Sequence, residues 1–161
     1  MLALFAGLLG LTIFANAQAA TDDCAEQPAG YGPVPSPNTA AAWKTYAPFA
    51  TAANNAVTPS LYQQTFVNLN ASEAAGTSTV YMGYYELKSY NPASCTALCD
   101  QTSGCVGTNL YFERDPSLNP AAACVNPPAI SVIKCALWGS PVTAAQATNL
   151  GQWRQQFNVL V

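Results

Sequence analysis

Apolar and polar residues alternate over several short stretches of the chain, a pattern typical of half-buried β-strands. Leu61–Leu69 (LYQQTFVNL) and Val80–Leu87 (VYMGYYEL) are rich in aromatic and β-branched residues, and a Gly, Ser and Asn cluster separates them. The runs VGTNLYFE and ISVIKCALW have the same character. The pattern therefore predicts four strands, near residues 61–69, 80–88, 106–113 and 130–138.

The segment Asn91–Gln101 (NPASCTALCDQ) carries the strongest helix signal in the chain. Asn91 suits the N-cap, Pro92 suits the first helical position, and a Ser-Gly pair follows the segment. A weaker helical signal covers residues 39–55, where Pro48 interrupts an Ala-rich run. One helix packed across a small antiparallel sheet is an α+β fold, and this is the fold class that we expect.

The first twenty residues (MLALFAGLLGLTIFANAQAA) have the character of a secretory signal peptide. Their apolar run, Leu2–Phe14, carries no charge and is too short to span a bilayer. Small residues favour cleavage after Ala17 or Ala19, so we expect a signal peptide over residues 1–19. A buried N-terminal helix is the less favoured alternative, because no polar residue marks an amphipathic face.

Two further units follow the signal peptide. Residues 20–60 are predicted to form an extended, irregular segment, since prolines in its first half exclude helix and central strand. Residues 61–161 form the predicted folded domain. Its apolar last residues, FNVLV, predict that the chain is cut within a strand and continues beyond Val161.

Charged side chains are few, and this restricts the chemistry. The chain has five Lys and Arg residues, eight Asp and Glu residues and no histidine, which gives a net charge of −3. Without His there is no Ser-His-Asp or Cys-His catalytic group and no His metal ligand. The acidic balance offers no basic surface for phosphates, so no nucleic-acid partner is expected. No cofactor is predicted.

All six cysteines lie beyond the predicted cleavage point, and an even number in a secreted chain predicts three disulfides. A zinc site is disfavoured because there is no Cys-x-x-Cys pair and no His. Cys95 and Cys99 lie one above the other on the same face of the predicted helix. Their Cα–Cβ bonds run nearly parallel, so each favours a partner elsewhere in the chain.

Spacing narrows the fifteen connectivities that six cysteines allow. Cys105, which follows the helix, is the most local partner for Cys99, the second helix cysteine. Cys95, the first helix cysteine, is expected to bond a cysteine on a neighbouring strand. Cys135 in IKCALW fits this position better than Cys124 in the Pro-rich loop. The last two cysteines pair by elimination, so the predicted disulfides are Cys99–Cys105, Cys95–Cys135 and Cys24–Cys124.

The stretch Tyr84–Trp138, with YYELKSYNPASCTALCDQTSGCVGTNLYFE followed by IKCALWG, resembles the PAN/Apple domain. More narrowly, it is similar to a group of secreted fungal proteins that contain this domain. The matching signature is a helix with Cys-x3-Cys-x5-Cys, then an aromatic-bearing strand, then a strand with Cys-x-Leu. The family bonds the first helix Cys to the late-strand Cys and the second to the Cys that opens the next strand, in agreement with two of the pairs above.

The resemblance covers about a third of the chain, and the Cys24–Cys124 pair and the N-terminal third lie outside the signature. It implies a PAN/Apple-like domain over residues 61–161. PAN/Apple modules are generally non-catalytic binding units. We therefore expect a secreted protein, outside the cell or in the cell wall, that recognises a glycan or an extracellular protein and has no membrane span after signal cleavage.

Two kinds of surface residue bear on this expectation. Asn70-Ala71-Ser72 is an N-glycosylation sequon, which predicts a surface loop and a glycan on Asn70. Strand aromatics stack well on sugar rings, and we select Tyr85 and Tyr111 as candidate exposed ligand contacts. For the strand aromatics as a group, however, we favour a different interpretation, in which half of them point into the core and the others are ordinary surface residues.

Other functions stay open at this stage. A weakly charged, Ala-rich surface is equally compatible with a structural cell-wall protein or a secreted effector. A glycoside hydrolase needs two carboxylates at a defined separation. The densest charge cluster, Glu113-Arg114-Asp115, precedes Pro116 at a strand end, so we interpret it as a solvated turn and do not expect an enzyme.

Overall fold

The computed structural model describes residues 23–151 and the backbone of residues 159–160, so the predicted signal peptide lies outside the described residues. The fold is α+β, as predicted. In chain order the elements are α1 (Ala40–Lys44), α2 (Ala47–Asn54), β1 (Tyr81–Leu87), α3 (Pro92–Asp100), β2 (Gly107–Pro116), β3 (Ala129–Trp138), a 3-10 turn (Ala144–Gln146) and β4 (Val159–Leu160).

β3 is a central strand of an antiparallel sheet with the order β1-β3-β2-β4. Cys135 of β3 lies opposite Tyr85 of β1 and opposite Leu110 of β2. Every residue of β3 except Ile130 is buried, because both faces of the strand are covered. Strands are thus present at three of the four predicted places, and β2 extends further than predicted, to Pro116.

α3 begins where the sequence predicts because a local side chain satisfies its free backbone groups. The side-chain oxygen of Asn91 accepts hydrogen bonds from the N–H groups of Ala93 (2.9 Å) and Ser94 (3.2 Å). Cys95 and Cys99 are both buried on the face that packs on the sheet. The helix therefore lies across one face of β3.

Three disulfides fix this arrangement, and they join the pairs that the cysteine spacing favours. Two of them fasten α3, one to β3 and one to the residue two positions before β2. The third fastens the N-terminal lead-in to the loop between β2 and β3. The Cα–Cα distances are 5.5 Å for Cys95–Cys135, 5.3 Å for Cys99–Cys105 and 5.8 Å for Cys24–Cys124.

Residues 20–60 are more regular than their composition predicts, because they contain α1 and α2. Pro48 falls in the first turn of α2, where a proline is tolerated, and does not interrupt a helix. Trp43 is fully buried, and Phe49 stacks on Phe112 of β2 with 4.5 Å between ring centroids. The N-terminal segment and the sheet therefore share one hydrophobic core.

The lead-in before α1 runs against β3 beyond the end of β1. The N–H of Gly32 donates to the carbonyl oxygen of Ser131 at 2.9 Å. A Cβ at Gly30 would overlap that same carbonyl oxygen, so the backbone approaches β3 as closely as it does because residue 30 is a glycine.

Residues 61–69 do not form the predicted strand. Leu61 and Asn68 have left-handed φ angles of 70° and 56°, which break an extended conformation near both ends of the stretch. The alternating pattern reflects contacts with the domain and not pairing, since Phe66 packs against the buried cluster on the sheet face opposite α3. We call residues 56–67 the strap.

Candidate functional site

A cleft of about 480 Å³ opens between the strap and the body of the domain. The strap forms one wall, α3 forms the other, and the start of β2 forms the floor. Pro141 and Val142, which follow β3, close one end. The strap thus bounds a space beside α3 and β2.

The first anchor of the strap is a hydrogen bond to α3. The hydroxyl of Tyr62 donates to a carboxylate oxygen of Asp100 at 2.6 Å. Burial, the hydrogen bond to Asp100 and the negative charge of Asp100 together raise the pKa of Tyr62 to about 12. The phenol therefore keeps its proton, and its bond to α3, throughout the neutral pH range.

The second anchor is Phe66, which packs against the cluster of Tyr111, Ala136, Trp138 and Val142. Between the two anchors lie Gln63, Gln64 and Thr65, which are exposed and form no hydrogen bond with the described residues. These three residues line the cleft and are available to bond a ligand.

The floor of the cleft includes a free edge of β2. β4 pairs with β2 at Phe112 and Glu113, which leaves residues 107–111 without a described strand on that side. The carbonyl oxygen of Leu110 accepts a hydrogen bond from the hydroxyl of Tyr90 at 3.1 Å, so it faces away from β3. Thr108, two residues earlier, directs its N–H and C=O to the same side. The cleft therefore offers main-chain donors and acceptors as well as side chains.

The cleft is nearly uncharged. Of the described residues that line it, Asp100 alone carries a charge, and no Lys or Arg is present. The polar lining consists of amides, hydroxyls and tyrosine phenols, which both donate and accept hydrogen bonds. Such a surface suits a neutral ligand rich in hydroxyl groups and disfavours an anionic one.

The two candidate contacts chosen from the sequence lie elsewhere. Tyr85 is 49 % exposed, but it lies on β1, at the opposite edge of the sheet from the cleft. Tyr111 is 7 % exposed, so the prediction that it is an exposed contact is wrong. Its side chain lies on the sheet face opposite α3, where Trp138 and Val142 cover it.

The charge cluster on β2 is not the solvated turn that we expected. Glu113 lies within β2 with a side chain 12 % exposed, and its carboxylate contacts the ammonium group of Lys134 at 2.6 Å. Asp115 contacts the same ammonium group at 3.3 Å. Burial would lower the pKa of Lys134, but the charges of the two carboxylates outweigh it and raise that pKa. Both acids therefore hold a structural cation in the sheet.

Burial and the nearby charge of Asp115 raise the pKa of Glu113, against the opposing effect of Lys134.

Asn70 is exposed at the surface, in the loop that follows the strap, so its side chain is accessible. Glycosylation of Asn70 stays a prediction.

Sequence reasoning missed the residues that define the cleft. Tyr62 lies in a stretch predicted as a strand, and Asp100 lies in the last turn of the helix, 38 residues away. Neither residue belongs to a spacing motif. The tertiary fold brings them together, and no local signal in the sequence announces the contact.

Comparison of the chain with protein-family models, with curated proteins and with solved structures gave no significant match. Within the part of the chain that the structure describes, no helix is long and apolar enough to cross a membrane.

Proposed function

We propose that the protein is a secreted, non-catalytic binding module whose cleft beneath the strap takes a neutral oligosaccharide. The observation that carries this proposal is the polar part of the lining, which combines amides, hydroxyls, tyrosines and a free strand edge with a single charge, beside apolar side chains such as Leu61, Phe66 and Val142. Sugar hydroxyls donate and accept hydrogen bonds, so they match a lining that does both.

The size of the cleft supports a short oligosaccharide. Its volume of about 480 Å³ lies within the range of roughly 300–1,000 Å³ that is typical of small-molecule sites. Gln63 and Gln64 on the strap and residues of β2 and α3 line the same space. A ligand between them would be bonded from two sides.

The disulfides support an extracellular location. Disulfides form and persist in oxidising compartments, and all six cysteines are paired. The apolar first twenty residues agree with secretion through a signal peptide. We place the protein outside the cell or in the cell wall.

The carboxylates favour binding over hydrolysis. The common glycosidase mechanism uses two carboxyl groups on either side of the bond that breaks. Asp100 is the one carboxylate among the described residues of the cleft, and it accepts the hydrogen bond that anchors the strap. Glu113 and Asp115 lie on β2 away from the cleft lining and share Lys134.

The PAN/Apple assignment is part of the same proposal. The resemblance implies a helix with two disulfides, one to a late strand and one to the start of the next strand. The disulfides of α3 to β3 and to Cys105 are compatible with such a module. Because PAN/Apple modules bind glycans or proteins, this assignment agrees with a binding role for the cleft.

Calorimetric titration of the mature protein with chitin and β-glucan oligosaccharides, and with an acidic polygalacturonate fragment, tests the proposal. We expect binding to a neutral oligosaccharide and none to the acidic one. Thr108→Trp fills the floor of the cleft and should reduce the affinity at least about tenfold, which is about 1.4 kcal/mol. Thr51→Trp, at an exposed position of α2 outside the cleft, is the matched control and should bind like the wild type.

Three results would contradict the proposal. One is equal affinity for Thr108→Trp and the wild type, which would place the ligand elsewhere. Another is preference for the acidic fragment. The third is saturable binding to an extracellular protein that neutral oligosaccharides do not displace, because that result would favour the protein-binding alternative.

A further inference from the structure

β1 forms the second edge of the sheet, far from the cleft. Tyr81–Leu87 pairs with β3 on one side, and no described strand lies on the other side. Among residues 23–151, none of the backbone hydrogen bonds outside the ladders involves a residue of β1. This edge therefore presents unpaired main-chain groups to the surroundings.

The ladder shows which groups face outward. Leu110 turns its backbone groups away from β3, so its partner Cys135 turns its own groups away from β2, toward β1. Cys135 lies opposite Tyr85, which therefore bonds to β3. Tyr84 and Glu86, the neighbours of Tyr85, direct their N–H and C=O groups out of the sheet.

The edge carries little of the protection that edge strands usually have. β1 contains no Lys and no Pro, which are common edge-blocking residues. Its irregularity is confined to the bulge at Gly83, at the start of the strand. Three tyrosines along it are half-exposed, namely Tyr81 at 46 %, Tyr84 at 48 % and Tyr85 at 49 %.

We propose that this edge pairs with the same edge of a second copy of the chain. An antiparallel pairing centred on Tyr85 would place Tyr84 of each copy opposite Glu86 of the other. The outward groups of these residues would form about four main-chain hydrogen bonds. The two four-stranded sheets would then join into one continuous sheet with two-fold symmetry.

Charge and side-chain pairing favour a second copy of the chain as the partner of the β1 edge. In this register the single acid of β1, Glu86, faces a tyrosine and not its own counterpart, so no like charges oppose each other. The two Tyr85 side chains meet as a non-hydrogen-bonded pair, where cross-strand side chains approach most closely. A net charge of −3 adds little repulsion between copies.

Sedimentation velocity of the mature protein from low micromolar to several hundred micromolar tests the pairing. The wild type should shift from monomer to dimer with concentration, and amide exchange at Tyr84 and Glu86 should slow over the same range. Tyr85→Lys opposes two ammonium groups at the centre of the join and should weaken the dimer at least about tenfold. Val57→Lys, at a strap position that is 79 % exposed, adds the same charge and should leave the dimer unchanged.

Glu86→Pro is the second variant, because it removes an outward N–H and leaves the bonds between β1 and β3 intact. If Tyr85→Lys loses its far-UV circular dichroism signal and is therefore unfolded, Glu86→Pro alone tests whether the dimer forms through β1. A wild type that stays monomeric at the highest concentration would overturn the proposal. So would a dimer that both variants leave unchanged, or one whose formation does not slow exchange at Tyr84 and Glu86.

Discussion

The two edges of the sheet are built differently. The β1 edge is connected to α3 through the core, because Met82 and Leu87 of β1 pack against the cluster that contains the Cys95–Cys135 disulfide, yet its outer backbone groups have no strand partner among the described residues. The β2 edge is partly paired with β4 and partly covered by the strap, which a hydrogen bond and one packed phenylalanine hold. The first edge is rigid and open, whereas the second is covered by a segment with weaker attachments.

The difference indicates that rigidity and protection are separate properties of an edge. Covalent fixing of the sheet does not remove the tendency of an unpaired strand to bind another strand. A strap that stands off the edge, in contrast, blocks pairing and leaves room for a small ligand. Both proposals above follow this division, with macromolecular contact at the β1 edge and small-molecule contact at the β2 edge.

Removal of the Cys95–Cys135 disulfide should have the largest effect on the difference in rigidity between the two edges. By the chain-entropy model, the 40-residue separation corresponds to about 4 kcal/mol of stability. The double variant Cys95→Ala with Cys135→Ala should lower the free energy of unfolding by about that amount, as measured by urea denaturation. Amide exchange should also accelerate at β1, because Met82 and Leu87 pack against the cluster that this disulfide holds together.

The matched control lacks the Cys24–Cys124 disulfide, which joins the lead-in to the loop between β2 and β3. It should lose a similar free energy, about 4–5 kcal/mol by the same model, and keep slow exchange at β1 under native conditions. Equal acceleration at β1 in both variants would show that the rigidity of that edge does not depend on α3.

Tyr62→Phe should have an intermediate effect, confined to the covered edge. It removes the hydrogen bond to Asp100, which corresponds to about 1 kcal/mol because the site is partly exposed. We expect faster proteolysis within the strap and faster amide exchange at Thr108. Tyr85→Phe removes a hydroxyl that forms no hydrogen bond with the described residues and should change neither measurement. If proteolysis within the strap and amide exchange at Thr108 are the same in Tyr62→Phe and the wild type, Tyr62 does not anchor the strap.

Glu73→Gln should have the smallest effect, and one that depends on pH. Glu73 is 2 % exposed, its backbone N–H donates to Asn109 of β2 at 2.7 Å, and one carboxylate oxygen accepts from the N–H of Thr143 at 3.2 Å. The other oxygen has no hydrogen-bond partner among the described residues. Burial raises the pKa of Glu73 above its ordinary 4.5, against the opposing effect of Thr143.

A raised folded-state pKa means that the protonated form stabilises the fold below the ordinary pKa and that this stability is lost as pH rises. Glutamine mimics the protonated form, so Glu73→Gln should be more stable than the wild type at neutral pH. The difference should disappear near pH 3.5 in urea denaturation. A difference of the same size at both pH values would exclude titration of Glu73 as its cause.

The elements that the sequence predicted correctly depend on neighbouring atoms. Asn91 caps α3 because its side chain reaches the N–H groups two and three residues on, which is a matter of local geometry. Local geometry also predicts that Cys95 and Cys99 take different partners, since two cysteines one turn apart on a helix face cannot easily bond each other. Such signals need no knowledge of the rest of the fold.

The elements that the sequence missed depend on distant parts of the chain. Alternation placed Tyr111 on one face of β2, but whether that face is covered depends on Val142 and Phe66. The run LYQQTFVNL has the composition of a strand, and strand propensity is realised when a partner edge is available for pairing. Here the run is held away from β2 by the Tyr62 hydrogen bond and by backbone angles that sequence patterns do not reveal.

The close approach of Gly30 to β3 has a consequence for how this sequence can evolve. Residues 23–38 look like a spacer, with prolines and mostly accessible side chains, where substitutions are usually neutral. Any side chain at Gly30 would collide with the main chain of Ser131. In a deep mutational scan, that position should therefore be as intolerant of substitution as the buried Trp43, although exposed lead-in positions such as Val34 should accept most residues.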